Sequence, residues 1–300
     1  MTEISNTILE KYQIRKTKKQ KNAFIDYLQT VFSKLKIEHH KGSGSKNLIL
    51  GDPNRAKILI SAHYDTCAQL PIPNFVTPLR PVISILYGFL IIIPICLLVL
   101  IVNILLTPHI NSYSLRYWLS FALIYYITIL GPANKHTVND NTSGVITLCE
   151  LYQRLTTEEK EQVCLIFFDN EEKGLLGSAA YRKQHKQQIK NQLLINLDCV
   201  SDGDNILLAV SEKARLKYMP VIKKTFCDTK SKKMLVRNLE KVYYPSDQAK
   251  FPLSVAIAAL KFKKFPGYYM DRIHTKRDTV LDKENIALLQ ECIQKLIHEI

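Results

Sequence analysis

The sequence predicts an α/β protein whose mixed sheet is covered by helices on both faces and interrupted by a transmembrane helical hairpin. Three observations carry this expectation. Apolar, strand-like runs alternate with amphipathic segments along most of the 300 residues, a length that allows a sizeable core. The chain carries no charge from Val82 to Leu106. Acidic residues and histidines recur where apolar runs end, which is where an α/β sheet presents its active site.

The first residues, through Lys21, are polar and basic and lack the apolar run of a signal peptide, so no cleaved leader is expected. An amphipathic helix is expected over Asn22–Leu35, with Phe24, Leu28, Val31, Phe32 and Leu35 on one face. Asn47–Leu50 and Lys57–Ala62 read as strands joined into a hairpin by the turn GDPN. As a helix, Val82–Leu106 would extend about 37 Å, enough to cross a bilayer with some tilt. Tyr117–Ala133 is a shorter apolar stretch, with Trp118, Tyr125 and Tyr126 suited to an interface and Arg116 to snorkelling from its edge. The polar turn between the two makes them a hairpin.

The expected organisation is therefore 1–80 as N-terminal helix and first part of a catalytic domain, 81–133 as inserted hairpin, and 134–300 as the remainder of that domain. Two passes return the chain to its starting side. Arg80, Lys135 and the basic N-terminal region put positive charge on that side, so a multi-pass membrane protein with a cytoplasmic catalytic domain is expected. Downstream, helices are expected over Ser143–Leu155 (begun by Asn141 or Thr142), Gly174–His185, Glu212–Phe226 and Asp282–Ile300, the last capped by Asp282. Strands are expected over Val163–Phe168, Leu193–Cys199, Ile206–Val210 and Val255–Phe262.

A net charge of +14 can indicate nucleic acid, but beside an uncharged span it points to a lipid bilayer with an anionic leaflet. The lysines of Lys16–Lys21 read as a solvated face. The seven cysteines form no disulfide framework, and Cys67, Cys149, Cys164 and Cys199 read as core thiols.

The candidate chemistry lies in five stretches. In ISAHYDT, His63 and Asp65 stand two apart at a strand end, where an imidazole binds zinc and a carboxylate can fix its tautomer. Asp140, in VNDNTSG, offers two oxygens that can bridge two ions, though taken alone it reads more readily as an Asx-type cap. Glu171 and Glu172 follow the buried strand VCLIFF, where unpaired carboxylates are costly; one can ligate a metal while the other moves a proton. Gly174 and Gly177 allow backbone to pass close to the site. Asp198 ends another apolar run, and His274 lies in a polar segment before the last helix.

The stretches ISAHYDT, NDNTSG, FFDNEEKGLLGS, LINLDCV and IHTKRDT, in this order, resemble metallopeptidase family 28, the dinuclear zinc aminopeptidases related to aminopeptidase Y and glutamate carboxypeptidase. The resemblance runs from about Ile58 to the C-terminus without the hairpin. It implies a mostly parallel twisted sheet between helices, two zinc ions (cobalt or manganese suit the same donors) and a peptide substrate with a free N-terminus. It also implies that His63 and Asp198 bind one ion, Glu172 and His274 the other, and Asp140 both, while Asp65 orients His63 and Glu171 is the general base.

The activity implied is that of a membrane-anchored aminopeptidase. Glutaminyl cyclases and other amide hydrolases resemble the family too, and some receptor relatives keep the fold as a silent scaffold. In SDQAKF, Gln248 stands where the family usually has histidine, so no substrate contact is carried over there. The insertion between His63 and Asp140 puts the hairpin at the rim of the expected active site.

Overall fold

A computed structural model describes residues 2–70 and 74–300. The chain begins with helices α1 (Glu3–Lys11) and α2 (Lys18–Val31), followed by strands β1 (Lys36–His40), β2 (Ser45–Gly51) and β3 (Ile58–His63). Next come α3 (Pro81–Leu106) and α4 (Tyr113–Tyr125), the latter running on as a π-helical turn over Tyr126–Leu130. Helices α5 (Gly144–Arg154) and α6 (Thr157–Gln162), strand β4 (Val163–Phe168), helix α7 (Leu176–Gln184) and strand β5 (Leu193–Leu197) follow. The remainder is β6 (Asn205–Val210), α8 (Glu212–Thr225), β7 (Lys233–Asn238), β8 (Ser254–Lys263), β9 (Gly267–Tyr269) and α9 (Lys283–Glu299).

The strands form one mixed sheet in the order β1-β2-β4-β3-β5-β8-β6-β7, with β9 added to β8. Its centre, β4-β3-β5-β8, is parallel, and β2 and β6 flank it antiparallel. Strands β3, β4 and β5 are buried along their whole length, which is why they read as continuous apolar runs. Successive side chains alternate between the faces. Leu48, Leu50, Ile58, Ile60, Leu165 and Phe167 join the larger core with α5 and α9, whereas Ile49, Leu59, Ile166 and Phe168 pack with Tyr181 and Phe251 on the other face.

The expected GDPN hairpin does not form. β4 lies between β2 and β3 and pairs with both, so these two strands are not neighbours; the hairpin in this region is β1–β2. The first amphipathic helix is shifted towards the N-terminus. Thr17 caps α2, its side chain accepting from Gln20 N while the Gln20 side chain bonds back, and Phe32 and Leu35 are buried beyond the helix end.

The inserted region is helical. Pro81 stands in the first turn of α3, where its missing N–H costs nothing. Among the described residues, α3 is the one helix long and apolar enough to cross a membrane, and no part of its apolar window is buried. Leu86, Phe89, Leu90 and Leu105 all face outward. α4 has thirteen residues of regular α-helix and folds back along α3, with Asn103 Nδ2 donating to Ser120 Oγ at 3.0 Å. Arg116, expected to snorkel outward, is buried instead: it donates to Ile110 O at 3.0 Å and lies over the Tyr113 ring. Trp118, Tyr125 and Tyr126 are exposed.

Candidate metal centre

Parallel strands end together, and the candidate residues cluster there. His63 is the last residue of β3; Glu171 and Glu172 follow β4; Asp198 follows β5. Asp140 sits just before α5, and His274, with a left-handed backbone at φ 60°, arrives from the segment after β9. All seven sequence-predicted residues are thus brought to one end of the sheet.

The geometry has two sides, with Asp140 between them. His63 Nε2 lies 3.3 Å from Asp140 Oδ1 and 3.5 Å from Asp198 Oδ1. His274 Nε2 lies 2.9 Å from Asp140 Oδ2 and 3.5 Å from Glu172 Oε2. One donor atom from each of His63, Asp140 and Asp198 falls within 4.8 Å of the others, and so does one from each of His63, Glu171 and Glu172. Cys67, read from sequence as a core thiol, is buried, yet its sulfur joins Glu172 and His274 in a third such group.

This donor set fits divalent cations. Carboxylates outnumber imidazoles, and no lysine or arginine among the described residues forms an ion pair with them. Glu172 Oε1 is buried with no hydrogen-bond partner, a group that calls for a cation or a proton. Burial and the charge of Asp140 push Glu172 up to about 8, and burial with the charges of Glu172, Asp198 and Asp247 pushes Glu171 up as well. Burial also opposes charge on His274, but Glu172 and Asp140 outweigh it and raise the imidazole to about 10. Imidazole and carboxylate donors at these positions suit zinc.

A supporting layer holds these side chains. The Asp65 carboxylate accepts Glu171 N at 2.9 Å and Glu172 N at 3.3 Å. His63 Nδ1 faces the backbone oxygen of Asp65 at 3.1 Å, with the Asp65 carboxylate farther off at 3.7 Å. The main chain of residue 65 therefore makes the closer contact to the imidazole. Asn141 Oδ1 accepts from Gly144 N and Cys199 N, and its amide donates to Leu197 O, linking the loop of Asp140 to the loop of Asp198. Gly177 packs against the Asp169 main chain so closely that a Cβ would lie 2.2 Å from Asp169 O.

Sequence reasoning missed two members of this layer. Asp278 is buried and accepts Asn139 N at 2.7 Å and Asp140 N at 3.0 Å; its place in IHTKRDT was the available signal. Arg15 is fully buried and donates to Tyr64 O, Tyr12 O and Thr142 Oγ1 while lying over the Phe24 ring. It ties the chain before α2 to both the His63–Asp65 loop and the Asp140 loop. No local pattern distinguishes it from the lysines beside it. Gln248, by contrast, is wholly buried and spent on Asn196 and Tyr244 O.

Comparisons with known proteins bear on the family and the fold. The sequence model of peptidase family M28 matches residues 103–299. No curated protein sequence matches. Among solved structures, the LapA aminopeptidase of Legionella pneumophila is 13% identical and superimposes with a TM-score of 0.57 over 98% of this chain and 69% of its own. The TET1 peptidase of Pyrococcus horikoshii is 14% identical, with a TM-score of 0.52 over 99% of this chain and all of its own. At such identities the likeness is one of fold. The family match covers more than half of the sequence and takes in Asp140, Glu171, Glu172, Asp198 and His274, and on that ground this chain belongs to peptidase family M28.

Proposed function

We propose that the chain is a two-zinc aminopeptidase anchored in a membrane by residues 81–133, with a catalytic domain made of 1–80 and 134–300. The observation that carries this reading is the two-sided arrangement about Asp140, one oxygen facing His63 and the other His274. His63, Asp198 and Asp140 would hold one ion; Asp140, Glu172 and His274 would hold the other. Zinc in such a site supplies Lewis acidity, polarising a scissile carbonyl and acidifying water. Glu171 takes a proton from the attacking water on its carboxylate and passes it to the leaving nitrogen. Asp65 keeps Glu171 and Glu172 in position by accepting both of their N–H groups. Likeness of fold to the LapA aminopeptidase supports action at a free N-terminus.

Two observations support the membrane reading. α3 exposes apolar side chains along its length, as a lipid-facing helix does. The two ends of the insertion also meet: Ala68 pairs with Ala133, and Gln69 N donates to Pro132 O at 2.9 Å. A segment whose ends meet crosses a bilayer an even number of times, which favours a hairpin over a single pass. The same ends adjoin the metal centre, since Leu70 N donates to His274 O and Asn134 N to Cys67 O. The mouth of the site therefore faces the bilayer, and membrane-associated peptides are its favoured substrates.

Hydrolysis of a mixed peptide library by detergent-purified protein, read by mass spectrometry, tests the reading. Zinc-dependent loss of single N-terminal residues, reduced about 10²–10⁴-fold in Glu171→Gln, is expected. Cyclised N-terminal glutamine would instead assign a glutaminyl cyclase. No turnover with two metals bound would point to another amide substrate, and no turnover without metal to a silent scaffold.

A further inference from the structure

Beside the metal centre lies a cavity of about 280 Å³ whose lining includes Lys16, Lys18, Lys21, Lys46 and Lys173 against a single acidic residue, Asp169. Asp169 is already engaged: Lys21 Nζ meets its Oδ1 at 2.6 Å, and Lys46 N its Oδ2 at 2.9 Å. Among the described residues, Lys46 Nζ bonds to the uncharged Asn22 side chain and Lys16 Nζ to a backbone carbonyl. The other four lysines share a small space and form no ion pair among the described residues, although the charges of Glu172 and Asp65 act on Lys16, and the positive end of α2 adds to their field. Burial and the charge of Lys173 together hold the Lys16 ammonium below its ordinary range.

The position of this charge matters more than its amount. The carbonyl that Lys16 reaches belongs to Ile129, in the π-helical turn where the second hairpin limb ends. Exposed Tyr126 and Leu130 belong to the same turn. The cavity therefore sits where the catalytic domain meets the plane that the hairpin would enter, within reach of the anionic headgroups of that leaflet. An anionic leaflet attracts lysines in such a place, and a helix foot fixes them at headgroup depth.

We infer that the lysine-lined cavity beside Ile129 docks the phosphate of an anionic phospholipid in the leaflet that the hairpin enters. The inference rests on the membrane reading proposed above. A lipid held there would fix the domain's tilt over the bilayer. It would do so next to the Asp169–Glu172 segment, whose first residue is the partner of Lys21.

The test uses the full chain in nanodiscs of phosphatidylcholine alone and of an equimolar mixture with phosphatidylglycerol. The readout is the rate of acetylation at individual lysines by mass spectrometry. Lys16, Lys18 and Lys173 are expected to react several-fold more slowly in the anionic discs, and Lys18→Glu to remove that protection from Lys173. Lys213, on α8, should not change, and Lys135, just after the Ala133 that closes the insertion and outside the lining of the cavity, should change much less. Equal slowing at Lys135 would reduce the effect to a diffuse surface potential and overturn the inference. Equal rates in both discs would overturn it too, as would equal slowing in neutral discs given inorganic phosphate. A chain that fails to co-elute with discs would refute the membrane reading itself.

Discussion

The carboxylate of Asp65 accepts the backbone N–H of Glu171 at 2.9 Å, although the two residues lie more than a hundred positions apart. This bond sets the main chain that carries the proposed base and its neighbouring ligand. Asp65→Ala should therefore lower kcat about 10–100-fold, the usual cost of losing an outer partner of a metal site. Measured zinc content should fall less than kcat. A loss of zinc with kcat per bound zinc unchanged would reassign Asp65 to metal retention alone.

Arg15→Met removes donors from Tyr64 O, Tyr12 O and Thr142 Oγ1 while keeping most of the side-chain volume. Buried acceptors left unpaired cost about 1–3 kcal/mol each, so a clear fall in Tm is expected in detergent. Activity should fall with it, because both loops that carry the candidate ligands lean on this guanidinium. An unchanged Tm would show that water satisfies the abandoned carbonyls.

Metal removal should destabilise the fold as well as stop turnover. A ligand bound by the native state alone stabilises it by about 2.7 kcal/mol at a hundred times its Kd. Treatment with phenanthroline should lower Tm, and added zinc should restore both Tm and activity. Asp140→Asn should blunt the thermal response more than His63→Ala, because Asp140 faces both histidines.

Acid should loosen the N-terminus through Glu150. Burial pushes this carboxyl up, but hydrogen bonds from Ser5, Thr2 N and Gln290 outweigh it and hold it below the usual range. A depressed carboxyl stabilises the fold above its unfolded pKa, about 4.3 for glutamate. That contribution disappears as pH falls through the lower folded value. Glu150→Gln should thus be less stable than the parent at neutral pH and lose less on acidification. Parallel Tm-against-pH curves would refute this.

Replacing Pro81–Leu130 with a short linker keeps Pro132 and Ala133, which close the insertion against Gln69 and Ala68. The shortened chain should leave the membrane fraction and still cleave soluble peptides. Its relative activity toward bilayer-embedded peptides should drop. An unchanged ratio would mean that the hairpin does not present substrates.

The sequence was most legible where structure is local or wholly buried. Val163–Phe168 matches β4 residue for residue, and Asp282 caps α9 as expected, because an apolar run and a cap each declare themselves within a few residues. Of the seven candidate residues, Glu171, Glu172 and Asp198 stand out alone, because carboxylates straight after buried strands have few structural uses, whereas Asp140 and His274 stand out only beside the others. What failed depends on distant partners. The β2–β3 hairpin looked convincing until β4, encoded more than a hundred residues later, came between them. Edge strands β1 and β7, KIEHH and KMLVRN, are too polar and half-exposed to announce themselves. Lys21 read as solvated, but its carboxylate partner lies 148 positions away and buries it.

If residues 81–133 enter a bilayer as proposed, the pairing of Ala68 with Ala133 would also set an order of events during synthesis. His63, Asp65 and Cys67 leave the ribosome before the apolar insertion, and Asp140 and every later donor leave after it. A chain halted midway through insertion, with one limb across, would strand the two groups on opposite sides of the lipid. On the proposed two-pass reading, hydrolytic competence would wait for the second limb to return, and a nascent or mis-inserted copy would have no means of cutting the proteins being made around it.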